Sequence, residues 1–534
     1  MSLKGEGVRL PQPSSVEEIQ GFSGENVVLE DVSVTPGILF YLLENKTLEI
    51  RDNFWLTSYD ESPSQNKERI RKPGPLDVYT YSSPATVLDG LRLNEKAKEN
   101  IKKMRKEAIH NEFLSLQMRN TAINLFPKLS METTPQIEFL IDTDPRDLEI
   151  ILPETTEIRF PNFYGSSIAF SEFALHLLPI LKIEYKGLYF LRIKVSEKEV
   201  ECETQVRELD ELRKMEDNTV DLGNPGWISF AGPVLMLVEK MKKSQESDIQ
   251  SLKIDAQRDV RYSVLKKEHG AFHFRFAWDV ELSESAVMLL PRLQETQRKD
   301  HRIKLTLKAK TPEVFDELAK KENRSIKVGE IYYMRLENYA VITLFKINIP
   351  QGNSRIKISA IIWHSLIDAV RNKFERNGDN EKIYTGTVSC LALGGTDFLL
   401  PRIKTSGESD IYHLRIGEKS NHMKPVSGER LLEYKKIRNI SMVDDNAHEL
   451  LPLMKIPEEH TAERLEIFIN KKETFEEIMK MENRSIKIGK VDCFELRGRF
   501  VPGIIPKLKI NTEHTAKLLF IDVVEDDVFE GFLH

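Results

Sequence analysis

Three cysteines, Cys202, Cys390 and Cys493, are all that 534 residues contain. They are odd in number and far apart, which excludes a disulfide framework or a zinc knuckle as the organising principle. Long apolar runs are also missing. No stretch of about 18 apolar residues occurs, so no membrane-spanning helix is expected, and the opening MSLKGEGVRLPQ lacks the apolar core of a secretory leader. Net charge is small: 77 Lys and Arg against 84 Asp and Glu give −7. That argues against a surface basic all over, while leaving room for a local basic face. GxxxxGK[ST], GxGxxG after a strand, GxSxG and HExxH are absent, which weakens the common nucleotide-binding and hydrolase readings. The chain is expected to be cytoplasmic, or to sit inside an intracellularly assembled particle. The sequons at Asn45, Asn323, Asn439 and Asn483 then carry no meaning, since glycosylation needs secretion.

What the sequence does have is repetition. Phe315 to Gly329, FDELAKKENRSIKVG, returns as FEEIMKMENRSIKIG, Phe475 to Gly489. A weaker copy, LDELRKMEDNTVDLG, begins earlier, at Leu209. The offsets from 315 to 475 and from 209 to 315 are both near multiples of about 53, so the skipped registers should hold helices. Tyr262 to Gly270 and Asp368 to Gly378 fall there, with a looser copy at Ser427 to Asn439. Ahead of the helices come apolar runs often written L-L-P, namely AVMLLPRL, AVITLFKI, FLLPRIK and HELLPLMKI, read as first strands. Alternating segments follow them, such as Arg302 to Lys308, Arg355 to Ser359, Tyr412 to Ile416 and Arg464 to Ile469, read as second strands. Alternation buries one face and solvates the other, which points to antiparallel sheet. Thr311-Pro312-Glu313 is a helix start, Thr as cap and Pro in the first turn, with Phe315, Leu318 and the stem of Lys321 as its buried stripe. Gly329 and Gly489 supply a backbone angle other residues reach only with strain.

The expected fold is therefore α+β: tandem strand-strand-helix-strand units of about 53 residues forming an antiparallel sheet with helices on one face. Residues 1–56 form an N-terminal arm and hairpin, and 57–92 a linker rich in Ser, Pro and charge. Residues 93–121 hold a long amphipathic helix, Leu93 to Leu116, with a stripe of Ala97, Ile101, Met104, Ala108, Ile109, Phe113 and Leu116. Residues 122–534 are an array of about seven units, closed by an incomplete one in VPGIIPKLKI and AKLLFIDVV.

Four groups of residues carry candidate chemistry. Lys96, Lys98, Lys102, Lys103, Arg105 and Lys106 crowd the long helix, with Lys67, Arg69, Arg71 and Lys72 before it; the simpler account is a solvated face paired with Glu95, Glu99 and Glu107. On the strands, Lys253, Arg302, Lys304, Lys308, Arg355, Lys357 and Arg415 occupy the polar side and would form a basic strip if neighbouring units align, although Glu466 interrupts it and such residues also guard against aggregation. Asp142 and Asp144 are two apart, as a divalent-cation site would have them, yet Asp144 before Pro145 is also a helix cap. His269 and His273 are four apart, but Phe272, Phe274, Phe276 and Trp278 alternate with His273 and Arg275, a strand pattern that keeps those histidines from converging. No catalytic, cofactor or metal residue is assigned.

A tandem array makes extended surfaces more readily than one deep pocket, so the expected role is structural: a scaffold, shell or filament subunit, or interaction platform, partnered by copies of itself or other protein subunits and not by a membrane. The alternative is a nucleic-acid binder using Lys102, Lys103, Arg105, Lys106, Arg302, Lys304, Lys308, Arg355 and Lys357; a metal-dependent enzyme at Asp142 and Asp144 is the second alternative.

Overall fold

A computed structural model describes residues 26–29, 33–50, 54–56, 86–130 (except 112 and 114), 136–141, 156–159, 166–172, 174, 177–178, 181–184, 188–194, 226–232, 249–256, 278–293, 302–349, 356–376, 383–384, 388–395, 399, 403–404, 411–417, 437–443, 461–510 (except 489) and 518–522. It is a mixed α and β chain in two units, Met1–Leu252 and Lys253–His534.

In the first unit the sheet strands, in chain order and in spatial order, are β1 (Thr86–Leu88), β2 (Ser115–Arg119), β3 (Gln136–Ile141), β4 (Ser166–Glu172), β5 (Leu188–Lys194) and β6 (Trp227–Ala231). Strand β7 (Ser251–Ala256) crosses the boundary in sequence. The second unit continues with β8 (Asp279–Glu284), β9 (Arg302–Ala309), β10 (Glu330–Asn338), β11 (Ile356–Ile361), β12 (Val388–Gly394), β13 (Ile411–Gly417), β14 (Ile437–Val443), β15 (Thr461–Phe468), β16 (Lys490–Arg497) and β17 (Leu518–Asp522). Nine steps carry the chain from Asp279 to Leu518. Each step is about 27 residues, so the repeat of about 53 residues is a pair of them.

Each strand whose register is described pairs in parallel with its neighbour. The antiparallel sheet expected from alternation is thus replaced by a parallel one, and the physical reason is specific. Alternation reports only that one face meets water. A parallel sheet shows it too when every return segment crosses the same face and leaves the other open. On the covered face the apolar residues form continuous ladders. Leu116, Ile137, Ile168, Leu191 and Ile228 run across the first unit; Leu305, Met334, Ile358, Leu391, Leu414, Ile440, Leu465 and Phe494 run across the second. All of these side chains are buried. In the next row of the first unit Phe139 stacks on Phe170 at 5.5 Å and meets Phe126 edge-on at 4.9 Å, adding aromatic contacts to the aliphatic ones.

Among the described residues the return segments come in two kinds. Strands β9, β11 and β15 are followed by α-helices, α3 (Pro312–Ala319), α4 (Ile367–Arg376) and α5 (Lys472–Met479), in the numbering where α1 is Pro36–Asn45 and α2 is Glu95–Lys103. Strands β2, β8, β10 and β16 are followed by short, mainly 3₁₀ turns: Asn120–Lys128, Ser285–Arg292, Tyr339–Ile342 leading into Thr343–Lys346, and Val501–Ile504 leading into Ile505–Lys507. These turns contain AVMLLPRL, AVITLFKI and VPGIIPKL, whose apolar composition reads as strand in the sequence. Ala286 to Leu290 and Tyr339 to Phe345 are buried throughout, so the apolar run reflects burial on all sides and carries no strand period. HELLPLMKI lies outside the described residues.

The two long copies of the repeat share one local geometry. The residues preceding α3 and α5, Thr311 and Lys471, have φ/ψ of −94/131 and −95/132, and the residues ending them, Lys320 and Lys480, −67/−19 and −70/−18. Arg324 and Arg484 in the Asn-Arg-Ser segment both adopt φ 60, and their N–H groups donate to Phe345 O at 2.9 Å and Pro506 O at 3.0 Å. Gly329 has φ 87, the angle its position demands. Thr311 does not cap, however: its hydroxyl is buried without a hydrogen-bond partner, and Pro312 alone starts the helix. The copy at Leu209 and the helix expected from Tyr262 lie outside the described residues, as do most of Ser427 to Asn439 and most of the 57–92 linker. Asp368 to Gly378 matches α4 closely.

In the first unit the long helix expected over residues 93–121 ends at Lys103. Arg105–Ala108 turn the chain, with Glu107 at φ 56, and Ile109–Asn111 and β2 follow as strands. The stripe of Ala97, Ile101 and Met104 is buried as expected, but Ile109 and Leu116 are buried from strands. Asn94 is the cap, its side chain accepting from Ala97 N at 2.8 Å. Asn100 joins α2 to α1. Buried at 3% exposure, it accepts from Leu48 N at 3.0 Å and donates to Leu43 O and Lys46 O at 2.9 and 2.8 Å. Asn100→Ala strands one donor and two acceptors, and is expected to lower stability by about 2–4 kcal/mol in urea unfolding followed by circular dichroism.

Candidate interaction face

The open face of the sheet holds the alternate residues, and three observations define it: what the cations pair with, where small residues cluster, and which long side chains stay unpaired. At the start of the second unit the charges are matched across strands. Lys304 Nζ lies 2.8 Å from Asp279, Lys308 2.7 Å from Glu281, and Lys253 3.4 Å from the same carboxylate. Burial pushes the Glu281 carboxyl up, but Lys308 and Lys253 together hold it below the usual carboxylate range. Arg302 lies 3.6 Å from Glu330, and Arg335 2.7 Å from the buried Glu337. At the other end Arg464 and Arg497 lie 2.7 and 3.2 Å from the buried Glu495, and Arg497 3.7 Å from Glu466. The expected basic strip is therefore largely a lattice of cross-strand ion pairs. Asp279, Glu281 and Glu495, its other half, escape the sequence reading; the signal that could have found them is the alternating acid in each neighbouring strand.

Between these ends the face changes character. Strands β11 to β14 present Lys357, Ser359, Cys390, Ala392, His413, Arg415, Asn439 and Ser441 in adjacent register positions. Lys357 and Arg415 are exposed, and among the described residues neither lies within ion-pair distance of a carboxylate. Burial raises the pKa of the Cys390 thiol, and the positive charges of Lys357 and Arg415 act against it, so both cations bear on the surface between them. The first unit has a similar place: exposed Arg192 sits in register between Ala169 and Ser229, and exposed Lys194 between Ser171 and Ala231. Next to it Glu138 takes hydrogen bonds from Gln117 at 2.7 Å and Ser171 at 2.8 Å.

The remaining expected residues separate. Lys102 and Lys103 end α2 in the first unit, where Lys103 pairs with Glu99 at 2.5 Å, and Arg105 and Lys106 follow in the turn. Glu99 and Glu95 are held below the usual carboxylate range by hydrogen bonds from Lys103 and Lys98. The strand cations belong to the other unit: Arg302, Lys304, Lys308 and Lys357 are all in Lys253–His534. Arg355, Asp142, Asp144, His269, His273, Lys67, Arg69, Arg71 and Lys72 lie outside the described residues. Among the described residues no three His, Cys, Asp or Glu side chains gather as a metal site, and no helix is long and apolar enough to cross a membrane.

A second set of cations, unforeseen, lies behind the sheet, Lys346 and Lys507 buried and Lys128 partly so. Lys346, at 3% exposure, donates to Ala319 O at 3.2 Å and Asn323 Oδ1 at 2.7 Å; Lys507 donates to Met481 O at 2.6 Å, and Lys128 to Met104 O. Each ends a short return segment and reaches back to the carboxyl end of the preceding helical return, satisfying orphan carbonyls. Beside each one a narrow parallel ladder forms: Ile109 with Leu129, Ile326 with Ile347, Ile486–Ile488 with Leu508–Ile510. Set against known proteins, the chain matches no family model, no curated sequence and no solved structure.

Proposed function

We propose that the protein is an interaction platform, a structural protein whose open sheet face receives other protein subunits or copies of itself. Its unit is a pair of rungs, about 53 residues in all, one returning through an α-helix and one through a 3₁₀ turn, tied together by a buried lysine and a two-stranded ladder. The observation that carries the reading is the open face itself. Ten parallel strands at about 4.8 Å spacing make a surface roughly 45 Å across in the second unit, a breadth suited to a macromolecular partner. Cross-strand pairing of its outer charges fixes side chains that would otherwise cost entropy on docking. The test is the mass of the full chain by light scattering at micromolar concentration. Assembly predicts particles of at least twice the 61.7 kDa chain mass; a strict monomer at every concentration would remove self-assembly from the reading.

A further inference from the structure

We propose that the centre of the open face in the second unit, around Lys357 and Arg415, is a docking site for an acidic peptide segment of a partner protein. This rests on the platform reading and names the chemistry of what it receives. On strands β8 to β10 and β15 to β16 exposed cations lie against carboxylates, from the adjacent strand for Lys304, Lys308 and Arg464 and from the same strand for Arg335. Strands β11 to β14 leave two cations open: Arg415 shares its row with Ser359, Ala392 and Ser441, side chains too short to shield a charge from an arriving group, and Lys357 lies in register between Tyr333 and Cys390. Lys357 and Arg415 stand two strands apart and one row apart in register, roughly 12 Å between backbones given sheet spacings. An extended peptide spans that distance in about four residues, so two acidic side chains a few residues apart can meet both cations at once. Arginine offers the fork for a bidentate carboxylate contact, and lysine a mobile point charge.

Charge on either side favours a short acidic peptide over a nucleic acid. A polyanion following the face needs cations at successive phosphates, but the row of Arg415 runs through Ser441 to Glu466 on one side, and on the other the strand beside Lys357 presents Tyr333 opposite it and the carboxylate of Glu337 two rows on. The open window between those carboxylates is five strand steps, about 24 Å.

The probe is fluorescein-labelled hexaglutamate, titrated with the full chain and followed by anisotropy at low and at physiological salt. Saturable binding that weakens with salt is expected. Lys357→Glu with Arg415→Glu should weaken it about tenfold or more, while Lys320→Glu with Lys480→Glu, the same charge change on exposed helix positions, leaves it within about twofold. Unchanged urea midpoints show that both double variants fold. Absence of binding by the wild-type chain, or equal affinity of the two double variants, overturns the proposal. Tighter binding of a labelled single-stranded hexathymidylate that is lost with Lys357→Glu and Arg415→Glu also overturns it, in favour of a nucleic acid. Particle mass is an independent readout: a chain that assembles but ignores hexaglutamate fails here alone.

Discussion

Gly498→Ala is expected to cost about 3–5 kcal/mol, among the largest effects of any single methyl group in this chain. Gly498 follows β16 with φ 116, outside the region that L side chains enter, so alanine is strained before any neighbour is considered. The neighbour is also rigid. A Cβ would be driven into the Ile469 peptide, 2.7 Å from its carbonyl carbon, and Ile469 is held there by donating its N–H to Arg497 O at 2.9 Å. Neither side can yield without breaking the hydrogen bond that joins the ends of adjacent rungs. Gly395 makes a useful contrast because it sits at the matching place after β12, where Ile362 N donates to Gly394 O at 2.8 Å. Its φ is 62, within reach of other residues, and part of its crowding comes from the Ile367 side chain, which can rotate. Gly395→Ala should therefore cost less, about 1–3 kcal/mol. Urea unfolding of both variants checks the order; equal losses would mean that the rung ends are less rigid than the backbone contact implies.

That place at the end of the strand explains much of what the sequence concealed. Glu284 and Asn338 adopt φ 54 and 57 with ψ −129 and −125, turning the chain from strand into 3₁₀ turn. Asn338 Oδ1 accepts from Trp363 N at 2.8 Å, and Glu284 Oε2 from Lys310 N at 3.0 Å. Asn470 Oδ1 likewise accepts from Arg499 N at 3.3 Å. A glutamate, two asparagines and two glycines thus serve related turns, and no single letter marks them. The helices were legible because Phe315-x-x-Leu318 and its copy obey a 3.6-residue period, with Pro312 as a start signal. Lys321, expected in the stripe, is exposed; Val314, four residues before Leu318 and on the same helix face, is buried instead.

Strand direction was not legible, because period 2 is the same whichever way a neighbour runs. Only the connection length carries that information. A step of about 27 residues with a return segment in it is long enough for a parallel crossover, whereas a two-residue hairpin turn closes an antiparallel pair. The face residues were legible one strand at a time: Lys304 and Lys308 do point to solvent. Their partners Asp279 and Glu281 were invisible until register placed them opposite, since the pairing is 25 to 27 residues away in sequence. Lys357 and Arg415 look identical to them in composition, and what sets them apart is that the residues opposite them in the adjacent strands, Tyr333 and Cys390 for one and Ala392 and Ser441 for the other, are not acids.

Phe315→Ala tests how the two copies of the repeat differ despite one local geometry. Phe315 is fully buried, meeting Phe374 of α4 edge-on at 4.9 Å and Tyr339 at 6.4 Å, while Phe374 in turn packs on Phe345 at 5.4 Å. The ring therefore joins α3 to the next helix and to the 3₁₀ turn between them, and the Lys373 ammonium sits 5.8 Å over its face. Removing it opens a cavity walled by side chains from three return segments that cannot collapse together, at a cost of about 3–5 kcal/mol. Phe475 holds the equivalent position in α5 but is only half-buried, stacking on Phe500 at 5.0 Å and against Gly503. Phe475→Ala should cost about 1–2 kcal/mol, because part of its surface already meets water. Urea denaturation of the two variants should show that gap of at least about 1 kcal/mol; equal losses would mean that Phe475 is as enclosed as Phe315.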